Sequence, residues 1–599
     1  MDPWGEFEQQ VLGCLQAALT SAGLQSPKPL QDTLEEPPDP KLGDLASNVC
    51  FELARTAGQS PEKLSGLLLT KMQPGGMIEK IDAARGYLNF FVDLPKLAEL
   101  TMACVDKLGE RYGASDRRGK VIVEHTSINP TKPLHIGHGR NAVLGDTVAR
   151  ILRKLGYRVE VHNYIDDLGL QMAETLVALK KIRLPKAKFD HALGLVYVKF
   201  QELLKEQPEL EEEVRGTLRA LERGEKTLSR TARGIAEACV RANLSTAEKL
   251  GIRYDLLVWE SDLVRRGVLE EALNLLRNSG RLREEGGAKL LQLGDLGLED
   301  KVLVRSDGTA VYLAKDIAYQ LWKFGKVKAR LYFKPWLSTH TTHPEGRPST
   351  RFGRAQRVIN VIGAEQRDAQ RSVFAVLKML GHEKECENSF HLAYEHVWLP
   401  TGKFSGRRGT WVGHSLDEAI EEAVGRAEEV VAEREPQASK AFRKRISKMV
   451  GLGALRFSLL ATSPEKKIVF KWEEALDFEK NSGPAIQYSH ARACSILRKA
   501  RTGGFPDWRK LGLGEERELV KLTAKYPKVL RLAGEGLRPN LLAAHAAQLS
   551  SVFNSFYEKA PVLKAEEGLR EARVKLVEGV RLVLADALGL LGIEAPTRI

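Results

Sequence analysis

Cysteine is sparse in this chain of 599 residues: Cys14, Cys50, Cys104, Cys239, Cys386 and Cys494, no two within ten positions of each other. That scatter excludes a CxxC pair, a zinc knuckle and the disulfide framework of a small secreted domain. No run of about 18 uncharged apolar residues occurs, so no membrane span is expected. The opening Met1-Asp2-Pro3-Trp4-Gly5-Glu6 has no basic stretch ahead of an apolar run, which argues against a secretory signal. The expectation is a soluble protein in the reducing cytoplasm. Internal repeats and long low-complexity tracts are also missing, which argues against solenoids and disordered arrays.

What is present is a globular composition, 43% apolar and 28% charged. At ~150 residues per domain, the length predicts three to five domains. Lys and Arg outnumber Asp and Glu by 91 to 78, and the surplus is unevenly placed. Residues 440–599 hold 29 basic and 17 acidic side chains, which leaves the preceding 439 residues nearly neutral. A basic end on a neutral body points to a polyanion held at that end.

Residues 1–117 read as a small α/β domain. Its first helix carries Phe7, Val11, Leu15 and Ala18 on one face, a helical run covers Asp44 to Arg55, and Ile78 to Val92 reads as strand. The polar, Gly-ended segment Ser115 to Gly119 is a boundary. A catalytic unit is expected over 118–415, beginning with the buried strand Val121 to Glu124. A helix from about Ile136 to Leu155 and a strand from Arg158 to Tyr164 follow, together the βαβ unit of a parallel sheet. An insertion over about 170–300, helical from Leu170 to Leu250, interrupts it, with Lys301–Arg305 and Val358–Ile362 read as strands returning to the sheet. The segment 334–354, rich in Pro, Thr, Ser and Arg and containing His340 and His343, reads as a mobile surface loop. A helical connector (416–462) and an all-helical domain (463–599) complete the chain.

The motif that carries chemistry is Leu134-His135-Ile136-Gly137-His138-Gly139-Arg140, right after the strand at 121–124 and opening a helix. Free N–H groups and the positive end of the helix dipole attract phosphate at such a corner. His135 and His138, three residues apart, lie on one face and can donate to phosphate oxygens. Gly137 leaves room for an adenine ring or ribose on the helix.

The block Glu124-His125-Thr126-Ser127-Ile128-Asn129-Pro130-Thr131-Lys132-Pro133, running into this motif, resembles class I aminoacyl-tRNA synthetases, and among them arginyl-tRNA synthetases. Asp166 to Gln171, Tyr312 to Ala318, Gln487 to Arg492 and Leu591 to Pro596 resemble further blocks of that family, in its order. The resemblance covers essentially the whole chain and implies an α/β, Rossmann-type parallel-sheet catalytic domain. It also implies a small N-terminal domain touching the tRNA elbow and an all-α anticodon-binding domain. The implied activity is ligation of L-arginine, activated with ATP and Mg²⁺ and without zinc, to the terminal adenosine of tRNA(Arg). Adenylate formation would be tRNA-dependent, and the protein a cytoplasmic monomer.

The implied catalytic groups are His135, His138, Lys132, Lys403, Ser405 and Arg407, with His135, Gly137, His138 and Lys403 on ATP. Lys403-Phe404-Ser405-Gly406-Arg407 stands where the class carries a KMSKS loop, but Phe404 replaces Met and Gly406 the second Lys. In this family a Lys just before the first motif takes that part, and Lys132 holds the position. Asp316 is assigned to the guanidinium with Tyr312 beside it, Glu124 and Asn129 to the α-amino and carboxylate end, and Gln366 as a further arginine contact. An N-cap for a helix over 317–325 is the structural alternative for Asp316. Tyr488, His490, Arg492, Arg498, Lys499 and Arg501 are assigned to tRNA, an aromatic among cations suiting an unpaired base. Two other readings are a catalytically silent RNA-binding relative and a class I enzyme for another amino acid. The intact motif speaks against the first. Asp316 and the lack of a zinc site or a β-rich editing insert speak against the second.

Overall fold

The structure is a computed structural model. It describes the chain except Met1, 400–401, 404–412, 478, 480 and 501–502, and describes only the backbone at 399, 402 and 403.

The catalytic unit is built on an eight-stranded sheet of β1 (Lys120–Glu124), β2 (Arg158–Ile165), β3 (Leu256–Trp259), β4 (Tyr332–Trp336), β5 (Thr339–Thr342), β6 (Arg347–Pro348), β7 (Arg357–Gly363) and β8 (Ser389–Tyr394). Their spatial order is β6-β4-β5-β3-β2-β1-β7-β8, and all neighbours from β5 to β8 pair in parallel. All five residues of β1 are buried, as a strand covered on both faces requires. From β1 the chain winds outward through β2 and β3, then returns to β1's other side as β7. The crevice between the carboxyl ends of β1 and β7 is therefore the topological switch point, the usual ligand site of such sheets.

Helix α1 (Ile136–Lys154) crosses from β1 to β2. The inserted bundle comprises α2 (Leu170–Lys181), α3 (Phe189–Glu206), α4 (Leu210–Glu222) and α5 (Lys226–Lys249), and α6 (Tyr312–Lys323) packs over the sheet before β4. Beyond the catalytic sheet run α7 (Leu416–Arg434), α8 (Lys440–Leu460), α9 (Gly483–Lys499), α10 (Gly514–Glu535), α11 (Pro539–Lys559) and α12 (Leu569–Leu590). The N-terminal domain has a four-stranded antiparallel sheet and docks on α10. There Lys521, Lys525, Lys528 and Arg531 meet Asp44, Glu36, Glu8 and Asp2.

Four expectations change. The chain rejoins the sheet at β3, well before residue 300, because a four-residue apolar run after a long helix carries little periodic signal. Residues 301–304 do not join the main sheet. They pair antiparallel with Ala288–Leu291, which pairs with Leu282–Glu285. Gly286 and Gly287 turn that hairpin with φ of 56° and 79°, the conformation a tight reversal needs. The expected loop at 334–354 is partly sheet, with residues 334–336, 339–342 and 347–348 in strands. Thr339–Thr342 extends β3 in parallel, and β-branched threonines plus Tyr332, Phe333 and Trp336 outweigh the loop-like composition. In the N-terminal domain, Leu45–Ser47 is a strand ahead of the helix Val49–Ala57, and Arg85-Gly86 splits 78–92 into a hairpin.

Two buried arginines join the layers. Arg140, at the end of the motif, donates to the carbonyls of Glu395 at 2.5 Å, Lys466 at 2.9 Å and Ser463 at 3.0 Å. Arg456 of α8 pairs with Asp146 of α1 at 2.6 Å and donates to the carbonyls of Leu250 and Leu591. It thereby ties the bundle, the sheet and the C-terminal helices at one point. Arg456→Met should lower the denaturant midpoint by an amount equivalent to ~3–5 kcal/mol, since it leaves a buried carboxylate short of a partner. Comparison of urea unfolding of the two proteins measures this.

Candidate active site

Three adjacent parallel strands each end on an acid. Glu124 is the last residue of β1, Asp166 follows β2 and Glu260 follows β3. Helix α6 lies across them and adds Asp316, Lys315, Lys323 and Tyr312. Glu124 accepts from Lys323 Nζ and, at 3.1 Å, from Ser127 Oγ. Glu260 is fully buried, accepting from Lys315 Nζ and, at 3.0 Å, from the Tyr164 hydroxyl. Asp166 accepts from the Gly169 N–H at 3.0 Å and from the Tyr312 hydroxyl.

Four carboxyls thus share two ammonium groups, and the electrostatics show the deficit. Burial and the charge of Glu124 push Asp316 up to about 7, against Lys323 and Lys315. Burial and Asp166 push Glu260 up to about 8 despite Lys315. Burial raises Asp166 as well. Lys315 is raised too: burial works against its charge, but Glu260 and Asp166 outweigh it. Every one of these shifts favours binding a proton: burial is the first cause for the three carboxyls, and at Lys315, where burial acts the other way, the neighbouring acids prevail.

On the other side of β1 stands the histidine corner. His135 is the N-cap of α1 and His138 its third residue. Each backbone N–H donates to the other's Nδ1 at 3.3 Å, a reciprocal capping box built from imidazoles. The rings stack with centroids 3.5 Å apart. A Cβ on Gly137 would come within 3.0 Å of the His135 ring, so the glycine makes room for this fold-back. Burial and the charges of Lys132 and His396 push His135 down to about 3, and burial with His135 and Lys132 drives His138 well below its ordinary value. Both rings are therefore neutral. With Nδ1 accepting, each carries its proton on Nε2, a donor. The intervening loop is strained, with φ of 73° at Thr126 and 45° at Ser127. It is pinned by Asn141 and Asn163, which accept from those two backbone N–H groups.

The structure brings Glu124, Tyr312 and Asp316 together, with half-buried Asn129 in the loop leading to the histidines. Gln366 is exposed, in the short turn after β7 at the same sheet edge. Asp316 lies within the second turn of α6, which begins at Tyr312, so it caps no helix. The Lys403 backbone pairs with Trp398, while its side chain and all of Ser405 and Arg407 lie outside the described residues. Asp166, Glu260, Lys315 and Lys323 were not singled out from sequence. Asp166 and Lys315 lie inside the quoted motif blocks without having been given a role, Lys323 lies a few residues beyond one, and only an acid directly after a short apolar run marked Glu260.

In the C-terminal domain, Tyr488, Arg492, Arg498 and Lys499 line an open cleft of about 650 Å³ with Tyr557 and Lys564. Arg492 sits over the rings of Tyr488 and Tyr557, 4.7 and 4.3 Å from their centroids. His490 departs from the expectation of a tRNA contact. It is 3% exposed, its Nδ1 is 3.0 Å from the Pro596 carbonyl, and it points into the helical core. Arg501 lies outside the described residues.

Comparison with known proteins agrees with this geometry. A family described as tRNA synthetases class I (R), catalytic domain, matches residues 101–333 and 348–472. The arginyl tRNA synthetase N terminal domain matches 9–92, and the DALR anticodon binding domain 486–599. The stretch between the two catalytic matches holds most of the β4–β5 hairpin. An arginine–tRNA ligase of Pyrococcus abyssi is 48% identical over 606 residues, covering 94% of this chain and 95% of that one. The solved arginyl-tRNA synthetase of Thermus thermophilus superposes with a TM-score of 0.85 at 37% identity, over 99% of this chain and 100% of that one. A Plasmodium falciparum arginyl-tRNA synthetase, at 17% identity and a TM-score of 0.76, shares the fold over 99% of both chains. A pocket short of positive charge beside a neutral histidine pair, in a chain alike over its whole length to such enzymes, places this protein in the arginyl-tRNA synthetase family.

Proposed function

We propose that the acid pocket and the histidine corner divide the arginylation reaction between them. The chain activates L-arginine with ATP and charges tRNA with it, as a class I arginine–tRNA ligase. The observation that carries the division of labour is the excess of carboxyls, Glu124 and Glu260 buried and Asp166 and Asp316 half-buried, over the two ammonium groups at the strand ends. A guanidinium is a planar cation that meets carboxylates bidentately and cannot lose its proton, so it answers that deficit. Asp316, with Tyr312 beside it and Glu260 and Asp166 behind, takes the guanidinium. Glu124, Asn129 and Gln366 hold the α-amino and carboxylate end.

ATP, arriving as its magnesium complex, lies at the tip of α1, where Gly137 leaves the backbone open. His135 and His138 donate from Nε2 to phosphate oxygens. Lys132, together with Lys403, Ser405 and Arg407, is assigned to the charge that builds on the leaving pyrophosphate. The arginine carboxylate attacks the α-phosphorus in line; the new O–P bond forms as the bond to pyrophosphate breaks. The terminal adenosine's 2′-OH then takes the arginyl group and AMP leaves. No protein nucleophile is required, so positioning and electrostatics are the whole of the catalysis. The C-terminal cleft suits an unpaired base, with Tyr488 stacking it and Arg492, Arg498, Lys499 and Arg501 on the phosphates. One chain carries all these groups, which supports a monomeric enzyme, and its six free thiols support a cytoplasmic setting. The N-terminal domain is assigned to the tRNA elbow. Activation is assigned to the tRNA-bound enzyme, as the family resemblance implies.

Three outcomes test this. ATP–pyrophosphate exchange across the twenty amino acids should respond to arginine alone, and only with tRNA present; full-rate exchange without tRNA would contradict the tRNA requirement. His138→Ala should lower kcat/KM for ATP by ~10²–10³-fold, the usual cost of one lost transition-state donor, with the KM for arginine little changed. With Asp316 at about 7 in the empty pocket, protonation below that pH removes the guanidinium's partner. The KM for arginine should therefore rise as pH falls from 8 to 6, and Asp316→Asn should raise it at pH 8 and flatten the dependence.

A further inference from the structure

Asp417, the second residue of α7, is gripped by two elements of the inserted bundle. From the end of α5, Lys249 Nζ donates to Oδ1 at 2.6 Å and Thr246 Oγ1 to Oδ2 at 2.8 Å. From the start of α3, Lys188 Nζ donates to Oδ2 at 2.7 Å, and His191 Nε2 lies 3.4 Å from the same atom. Lys188 also meets Asp190 at 3.0 Å, so its ammonium bridges the two carboxylates. Burial opposes the charge on Asp417, yet hydrogen bonds from His191, Lys188, Lys249 and Thr246 hold its carboxyl far below the usual carboxylate range. An acid near a helix start often serves only the dipole and the cap. Here Ser415 and Glu418 complete the capping box themselves, and Asp417 turns to the bundle instead.

The residues just before Asp417 are bound to the histidine corner. Ser415 pairs with His135 in an antiparallel bridge, and the Leu416 N–H donates to the Leu134 carbonyl at 2.7 Å. The Leu416 side chain is fully buried against α1; a Cβ on Gly139 would come within 2.9 Å of it. Within three residues, then, the chain grips the tip of α1 through 415–416 and the inserted bundle through 417. Packed groups held this closely transmit small shifts instead of absorbing them.

We infer that Asp417 is a positioning residue of the arginylation reaction: it clamps the inserted bundle to the strand-like segment that holds His135, so the placement of the bundle sets that of the imidazole pair. This rests on the reading of His135 and His138 as the groups that meet ATP. The partners of Asp417 are Lys188, His191, Thr246 and Lys249, none of them an acid-pocket residue, so its loss acts on ATP and spares arginine.

The experiment is steady-state aminoacylation by the full chain carrying Asp417→Asn, His138→Ala or both. Asn keeps the size and one acceptor but loses the charge. We expect kcat/KM for ATP to fall ~10–100-fold, the usual scale for displaced reacting groups, with the KM for arginine within about twofold. In the His138→Ala background the same substitution should cost less than ~3-fold, because groups acting as a unit are not additive. Equal losses for both substrates, effects that multiply in the double variant, or a fall in thermal midpoint with both kinetic constants intact would each overturn the inference. Failure of His138→Ala to alter ATP use would instead overturn the reading beneath it. Should Asp417→Asn fail to fold, Lys249→Met removes one arm at a half-exposed side chain, and an unchanged kcat/KM for ATP there would overturn the inference equally.

Discussion

Glu124, Asp166, Glu260 and Asp316 crowd the end of a parallel sheet, where Lys323 pairs with Glu124 and Lys315 with Glu260. An isolated buried carboxylate sheds its charge by taking up a proton. Here the two lysines keep part of the charge in place, and the remainder shows as carboxyls poised near neutrality, Asp316 at about 7 and Glu260 at about 8. A pocket in that condition discriminates by what it lacks. A neutral side chain of the right length leaves the deficit untouched, and a lysine, with a single compact head, cannot meet separated acids through a planar fork. The same requirement explains the sheet order, since consecutive parallel strands deliver acids side by side at one edge.

The histidine corner obeys the opposite logic. A triphosphate invites cations, yet both imidazoles are held neutral by burial, Lys132 and His396, with His135 acting on His138 as well. Neutral rings with the proton fixed on Nε2 give directional donors whose state does not vary with pH in the working range. The positive charge is left to the lysines assigned to the phosphates, Lys132 and Lys403. Gly137 allows the stack and Gly139 admits Leu416, so the glycines of the motif serve protein packing as well as ligand access. Arg140 then anchors the same helix to 395 and 463–466, and the tip of α1 is held from three directions.

Much of this was legible in the sequence because it is local. The buried run 121–124 and the helix opening at about Ile136 behind it follow from a few consecutive residues. So does the aromatic–cation face of α9, except that His490 turns inward, and nothing in the pattern Tyr488-Ser489-His490 separates a core histidine from a surface one. What the sequence concealed depends on distant partners. Glu260 reads as one more acid in a charged region until β3 is placed beside β2. The stretch 334–354 carries Pro335, Pro344, two histidines and several arginines, a loop's composition, and the pairing of β5 with β3 is what joins it to the sheet. Asp417 reads as an ordinary first-turn acid, since its partners lie some 170 to 230 positions earlier in the chain.

The claim that a deficit of positive charge selects the substrate is tested most directly with citrulline, which matches arginine in shape and replaces the guanidinium by a neutral urea. Calorimetric titration of both at pH 8 should give citrulline a dissociation constant larger by ~10³-fold or more, as expected when a built charge pair is left unmade. Binding of the two within tenfold of each other would contradict it, and would mean that shape rather than charge fills this pocket.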